Sequence, residues 1–93
     1  MKKVREFEVV DLGIEFPDYF QGFGCAFTSF DHCVYGIGEN PAKALDDCLE
    51  TIAQMGVDVE DLEARIRKRE GEPTTRVAPE GAYYHIGIRW RQA

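Results

Sequence analysis

Four side chains have the chemistry for a metal or thiol site: Cys25, His32, Cys33 and Cys48. Structural zinc takes paired ligands in spacings such as C-x2-C, whereas Cys25 to Cys33 reads C-x6-H-C and matches no such pattern. Asp31-His32-Cys33 invites a thiolate mechanism, with the imidazole taking the thiol proton. Successive strand residues point to opposite faces, so His32 does not readily reach Cys33. Asp46 and Glu50 are carboxylates four residues apart on one helix face, but no histidine accompanies them to build a metal site. An enzyme built on this chain would have to rely on His85 or Cys25.

The stretch GIGENPAKALDD, residues 36–47, raises a different chemistry. Backbone amides converging ahead of a helix bind phosphate, as in G-x-G-x-x-G or G-x-x-x-x-G-K-[ST]. Here the third glycine and the Lys-Ser/Thr pair are missing. Glu39 stands where an anion would arrive, and Pro41 removes an amide. Each residue fits a helix start instead. Asn40 is a good N-cap, Pro41 suits the first helical position, and Gly36 and Gly38 let the strand end approach the helix. No metal and no cofactor is expected.

The elements that position these residues follow from periodicity. VREFEVVDLGIEF is rich in β-branched and aromatic residues. Its apolar phase switches at Val9–Val10, which predicts a bulge there or a strand buried on both faces. GFGCAFTSF and HCVYGIG each alternate and form an expected hairpin through SFDH. At Asn40 the period changes to 3.6, with Leu45, Cys48, Leu49, Ile52 and Met55 on one stripe. Gly56 is placed just beyond that helix. VEDLEARIRKRE predicts a second helix capped by Asp58, with Val59, Leu62 and Ile66 inward and charges arranged along its dipole. Residues 70–81 form a Pro- and Gly-containing loop expected to be flexible. In AYYHIGIRW, Tyr84, Ile86, Ile88 and Trp90 share one face, with Tyr83, His85 and Arg89 on the other.

The expected fold is therefore α+β, a single globular domain over residues 1–93. It has one antiparallel sheet of about four strands with two helices on one face, in the order β-β-β-α-α-β. Ninety-three residues with 44% hydrophobic and 30% charged side chains support one such core. No apolar run spans a bilayer, and MKKVREFEVV does not read as a signal peptide, so a cytoplasmic protein with three reduced cysteines is expected. A formal charge of −6 argues against direct nucleic-acid binding.

The acids cluster. Asp46, Asp47 and Glu50 lie on the outer side of the first helix, and Glu60, Asp61 and Glu63 open the second. With exposed Tyr19 and Phe20, they form the expected contact surface for a basic protein partner.

SFDHCVYGIGENPAKALDDCLETI resembles the strand-to-helix junction of HicB-like antitoxin domains. Gly38, Glu39, Asn40, Ala44 and Leu45 stand in the matching places, although the turn lacks the family's proline. The resemblance covers residues 29–52 and implies a non-catalytic domain that masks a small basic partner. The alternatives are a phage or mobile-element inhibitor mimicking nucleic-acid charge, a small enzyme using His85 or Cys25, and an oligomeric structural subunit, such as a homodimer joined through a sheet edge.

Overall fold

The computed structural model describes residues 1–16 and 22–93. Its elements are β1 (Val4–Glu15), β2 (His32–Gly38), α1 (Pro41–Gln54), α2 (Val59–Glu70) and β3 (Tyr83–Gln92). The α+β class holds, but the described sheet has three strands rather than about four. Their spatial order is β1-β3-β2, with both pairings antiparallel. Residues 22–30 do not form the expected strand. There the Thr28 amide donates to the Cys25 carbonyl (3.1 Å), and Phe27 adopts a φ of 63°, which no ladder accommodates. The order is thus β-β-α-α-β.

β3 is the central strand, and its alternation organises the molecule. Trp90, Ile88 and Ile86 pair with Phe7, Val9 and Asp11 of β1, and with His32, Val34 and Gly36 of β2. This face carries the core, to which α1 adds Ala44, Leu45, Cys48, Leu49 and Ile52, and α2 adds Leu62 and Ile66. Tyr84 packs against its edge, so the expected division of the last strand into two faces is correct. Each fully buried Ile, Leu or Trp contributes about 1.5–3 kcal/mol through removal from water. The phase switch in β1 does come with a bulge close to Val9–Val10, though not at those residues themselves. The register shifts fall between Val4 and Glu6 and between Asp11 and Gly13. Val10 turns to the second face, opposite Gly87, so the middle of β1 is covered on both sides.

α1 starts as its sequence dictates. Asn40 is extended and buried, and its Oδ1 accepts from the Lys43 amide at 2.8 Å, with Pro41 at the first helical turn. Gly36 and Gly38 let the helix lie directly on β2. A Cβ at Gly36 would come within 3.0 Å of the backbone of Ala44 and Cys48, and one at Gly38 within 3.0 Å of the Lys43–Ala44 backbone. Gly56, at φ 81°, ends the helix and donates to Ala53 O.

α2 is capped by Asp58, whose Oδ1 accepts from the Asp61 amide at 3.3 Å. Its arginines close one edge of the sheet. Arg65 donates to the carbonyls of Val4 (2.6 Å) and Arg5 (3.0 Å), and Arg69 to that of Phe7 (3.1 Å). Both guanidiniums also stack on the Phe7 ring, at 5.1 and 4.3 Å from its centroid. An edge strand with satisfied carbonyls resists further pairing.

Candidate functional site

The outer side of α1 carries three carboxylates. Asp46 and Glu50 are exposed, one turn apart, and no cation lies within ion-pairing distance of either among the described residues. Asp47 is exposed but partly engaged: its Oδ2 accepts from the Ile37 amide of β2 at 3.0 Å. This bond joins the acidic helix to a strand edge where Tyr35 and Ile37 remain 44% and 40% exposed. Glu39 is balanced by Lys43 at 2.9 Å. The hydrogen bond from Glu39, and then its charge, holds the Lys43 ammonium above its ordinary pKa, with a smaller contribution from Asp46.

The acids of α2 are arranged differently. Asp61 faces Arg65 at 3.7 Å and Glu63 meets Arg67 at 2.9 Å, each pair one helical turn apart. Arg67 also reaches Glu72. Only Glu60 of the expected second-helix set is exposed without an ion pair among the described residues. The structure therefore separates the two acidic groups by compensation. That of α1 presents uncompensated charge, and that of α2 is largely neutralised by its own arginines. Tyr19 and Phe20 lie outside the described residues.

The opposite sheet face is covered by the 22–31 loop. Cys25 and Cys33 form a disulfide with a Cα–Cα distance of 5.8 Å, which corrects the expectation of three reduced thiols. The expectation rested on an odd cysteine count without a signal sequence, whereas the loop folds back to bring Cys25 onto Cys33 and leaves Cys48 as the free thiol. Phe23 lies on Gly87, where a Cβ would come within 3.0 Å of its ring. Arg89 stacks on Phe23 (4.2 Å), donates to the Gly24 carbonyl (2.9 Å) and pairs with Glu8 (2.7 Å). Arg91 donates to the Ser29 carbonyl at 2.6 Å. The basic tail is thus built into the fold. No local pattern announces this role, although arginines two and four residues beyond Gly87, on the same face of the strand, are a usable hint.

The other candidates resolve individually. His32 lies against Asp31 (2.7 Å) and stacks on Trp90 at 5.1 Å, on the face opposite Cys33, as alternation requires. Cys48 is buried under α1, and burial pushes its thiol pKa up to about 12. Cys25 holds its sulfur in the disulfide, and His85 is only 2% exposed. Among the described residues, no three His, Cys, Asp or Glu side chains converge as a metal set. An apolar groove of about 260 Å³ lies between the start of α1 and the end of α2, floored by Val9, Leu45, Ile66 and Ile86. The segment beside it is tied to α1 by Ala42 N to Thr74 O (3.1 Å) and Ala78 N to Glu39 O (2.7 Å). No described helix is long and apolar enough to cross a membrane. No family model, no curated protein and no solved structure matches the chain.

Proposed function

We propose that the protein is a non-catalytic protein-binding module whose α1 face captures a basic partner protein, in the manner of a HicB-like neutraliser. The observation that carries this reading is the uncompensated pair Asp46 and Glu50. Glu8, Glu39, Asp61 and Glu63 are each matched by a nearby arginine or lysine, whereas Asp46 and Glu50, side by side on one helix face, make no ion pair among the described residues. Exposed like charges on one helix raise the local potential and steer an oppositely charged protein toward the surface. Tyr35 and Ile37, beside Asp47, supply apolar area where a docked partner would exclude water.

The test is capture of a partner from the native host, followed by kinetics on the identified pair. Asp46→Asn with Glu50→Gln keeps shape and removes two charges. The variant should associate about tenfold more slowly at low salt, with the difference shrinking as salt screens the field. Arg76→Gln, at an exposed position between α2 and β3, serves as the control and should leave the on-rate unchanged. Equal on-rates for the acidic variant and the parent at every salt concentration would remove the reading.

A further inference from the structure

We infer that Cys25–Cys33 is a reversible thiol–disulfide latch, with a low-molecular-weight thiol as its reductant, that fastens the 22–31 loop over the second face of the sheet. The inference does not rest on the acidic residues of α1, which lie on the other face of the sheet, although Tyr35 and Ile37 share the Cys33 face.

Three features point to a latch rather than a staple of the core. Neither cysteine belongs to the buried cluster, which is assembled from α1, α2 and the other sheet face. Both are only half-buried, so a small thiolate can reach them. Apart from the disulfide, the loop is fastened to the sheet by separable contacts: Phe23 on Gly87, and the side-chain donors Arg89 and Arg91 to the Gly24 and Ser29 carbonyls. Phe27, fully exposed and at positive φ, makes no use of the sheet. Breaking the bond therefore frees the loop without opening the core.

The chemistry balances simply. A thiolate attacks one sulfur, forming a mixed disulfide and releasing the other cysteine as thiolate. A second thiolate resolves the mixed disulfide and leaves as the oxidised dimer of the reductant. Two electrons enter the protein, and Cys25 and Cys33 take up two protons. Cys48 does not scramble the exchange, since it is fully buried beneath α1 on the other side of β2. In the reduced state Phe23 can leave its notch at Gly87, and Arg89 loses the Gly24 carbonyl. An apolar notch with two arginines beside it is then exposed.

The test equilibrates the full oxidised chain in glutathione buffers of graded poise, alkylates it, and reads adducts by mass spectrometry. Chymotrypsin cleavage after Phe23, Phe27 and Phe30 and far-ultraviolet circular dichroism are followed in parallel. The latch predicts two adducts appearing together, at Cys25 and Cys33, with Cys48 unmodified. Cleavage in the loop should rise about tenfold, as expected for local opening, while the helical signal is retained. Cys25→Ser with Cys33→Ser should reproduce the open loop without reductant. Gly87→Ala should loosen Phe23 even with the disulfide intact. A pair that stays oxidised at every poise would overturn the proposal. So would a reduced loop as protected as the oxidised one, or loss of the helical signal on reduction, which would make the bond a staple of the whole fold.

Discussion

Replacing Gly36 by alanine adds one methyl group at the point where α1 rests on β2. A Cβ at this position would lie within 3.0 Å of the Ala44 and Cys48 backbone, where ordinary contact begins at 3.4 Å. Backbone cannot rotate away as a side-chain tip can, so the helix must retreat by roughly 0.5–1 Å in a close-packed interior. That displacement loosens Ala44, Leu45, Cys48, Leu49 and Ile52 together, all buried by the same helix. Overpacking of this kind costs about 2–3 kcal/mol. The alanine returns about 0.5–1 kcal/mol by restricting the unfolded chain. The expected net loss is about 2 kcal/mol, or a fall in Tm of about 8–16 °C for a domain of this size. Urea melts followed by circular dichroism measure it directly, with an unchanged slope showing that two-state unfolding persists. Gly24→Ala is the matched control. Nothing lies within 4 Å of a Cβ there and its φ is not positive, so its midpoint should shift by about 0.5 kcal/mol or less. If the two variants melt alike, the helix does not rest on Gly36 and the packing argument is refuted.

Asn40→Ala should lose about 1 kcal/mol in the same melts and Asn40→Gly only a few tenths, because the lost interaction is the cap bond to Lys43. The hydrogen bond from Lys3, followed by that from the Asp61 amide, holds the Asp58 carboxyl below its ordinary 3.8. Its stabilising contribution is therefore present above that value and lost as pH falls through the lower folded pKa. Asp58→Asn should flatten the acid limb of a Tm-versus-pH curve, and an unchanged limb would mean the pair does not couple to folding.

The helices were legible because their signals are local. Asn40, Pro41 and the stripe from Leu45 to Ile52 act within a few residues of one another, and so do Asp58 and the Leu62–Ile66 pair. Gly36 and Gly38 were readable for the same reason, as a strand end meeting a helix. What failed depends on tertiary context. Phe23, Cys25 and Phe27 alternate as a strand would, but Phe23 alternates because it fits a notch made by Gly87, far along the chain. The disulfide likewise follows from a loop folding over a sheet, which no spacing encodes. In the acidic surface the charges were visible, whereas their compensation was not. Arg65 and Arg67 neutralise α2 because of helical register, whereas Asp46 and Glu50 of α1 have no ion-pair partner among the described residues.

The position of β3 in the middle of the sheet bears on how the chain acquires its structure. β1 and β2 do not pair with one another; each waits for the strand that comes last among the five elements, so that Val9 meets Ile88 and Val34 meets the same residue from the other side. Until then both carry unsatisfied ladders, and α1 has only part of the surface it finally covers. Closing such long loops costs entropy before any contact repays it, which slows folding relative to a sheet built from sequential hairpins. During synthesis, the segment through α2 would emerge with its β1 and β2 edges open to other chains. A slow ribosome or a destabilised β3 would lengthen that interval, making aggregation during biogenesis, more than loss of the finished fold, the first consequence of mutations between Tyr83 and Gln92.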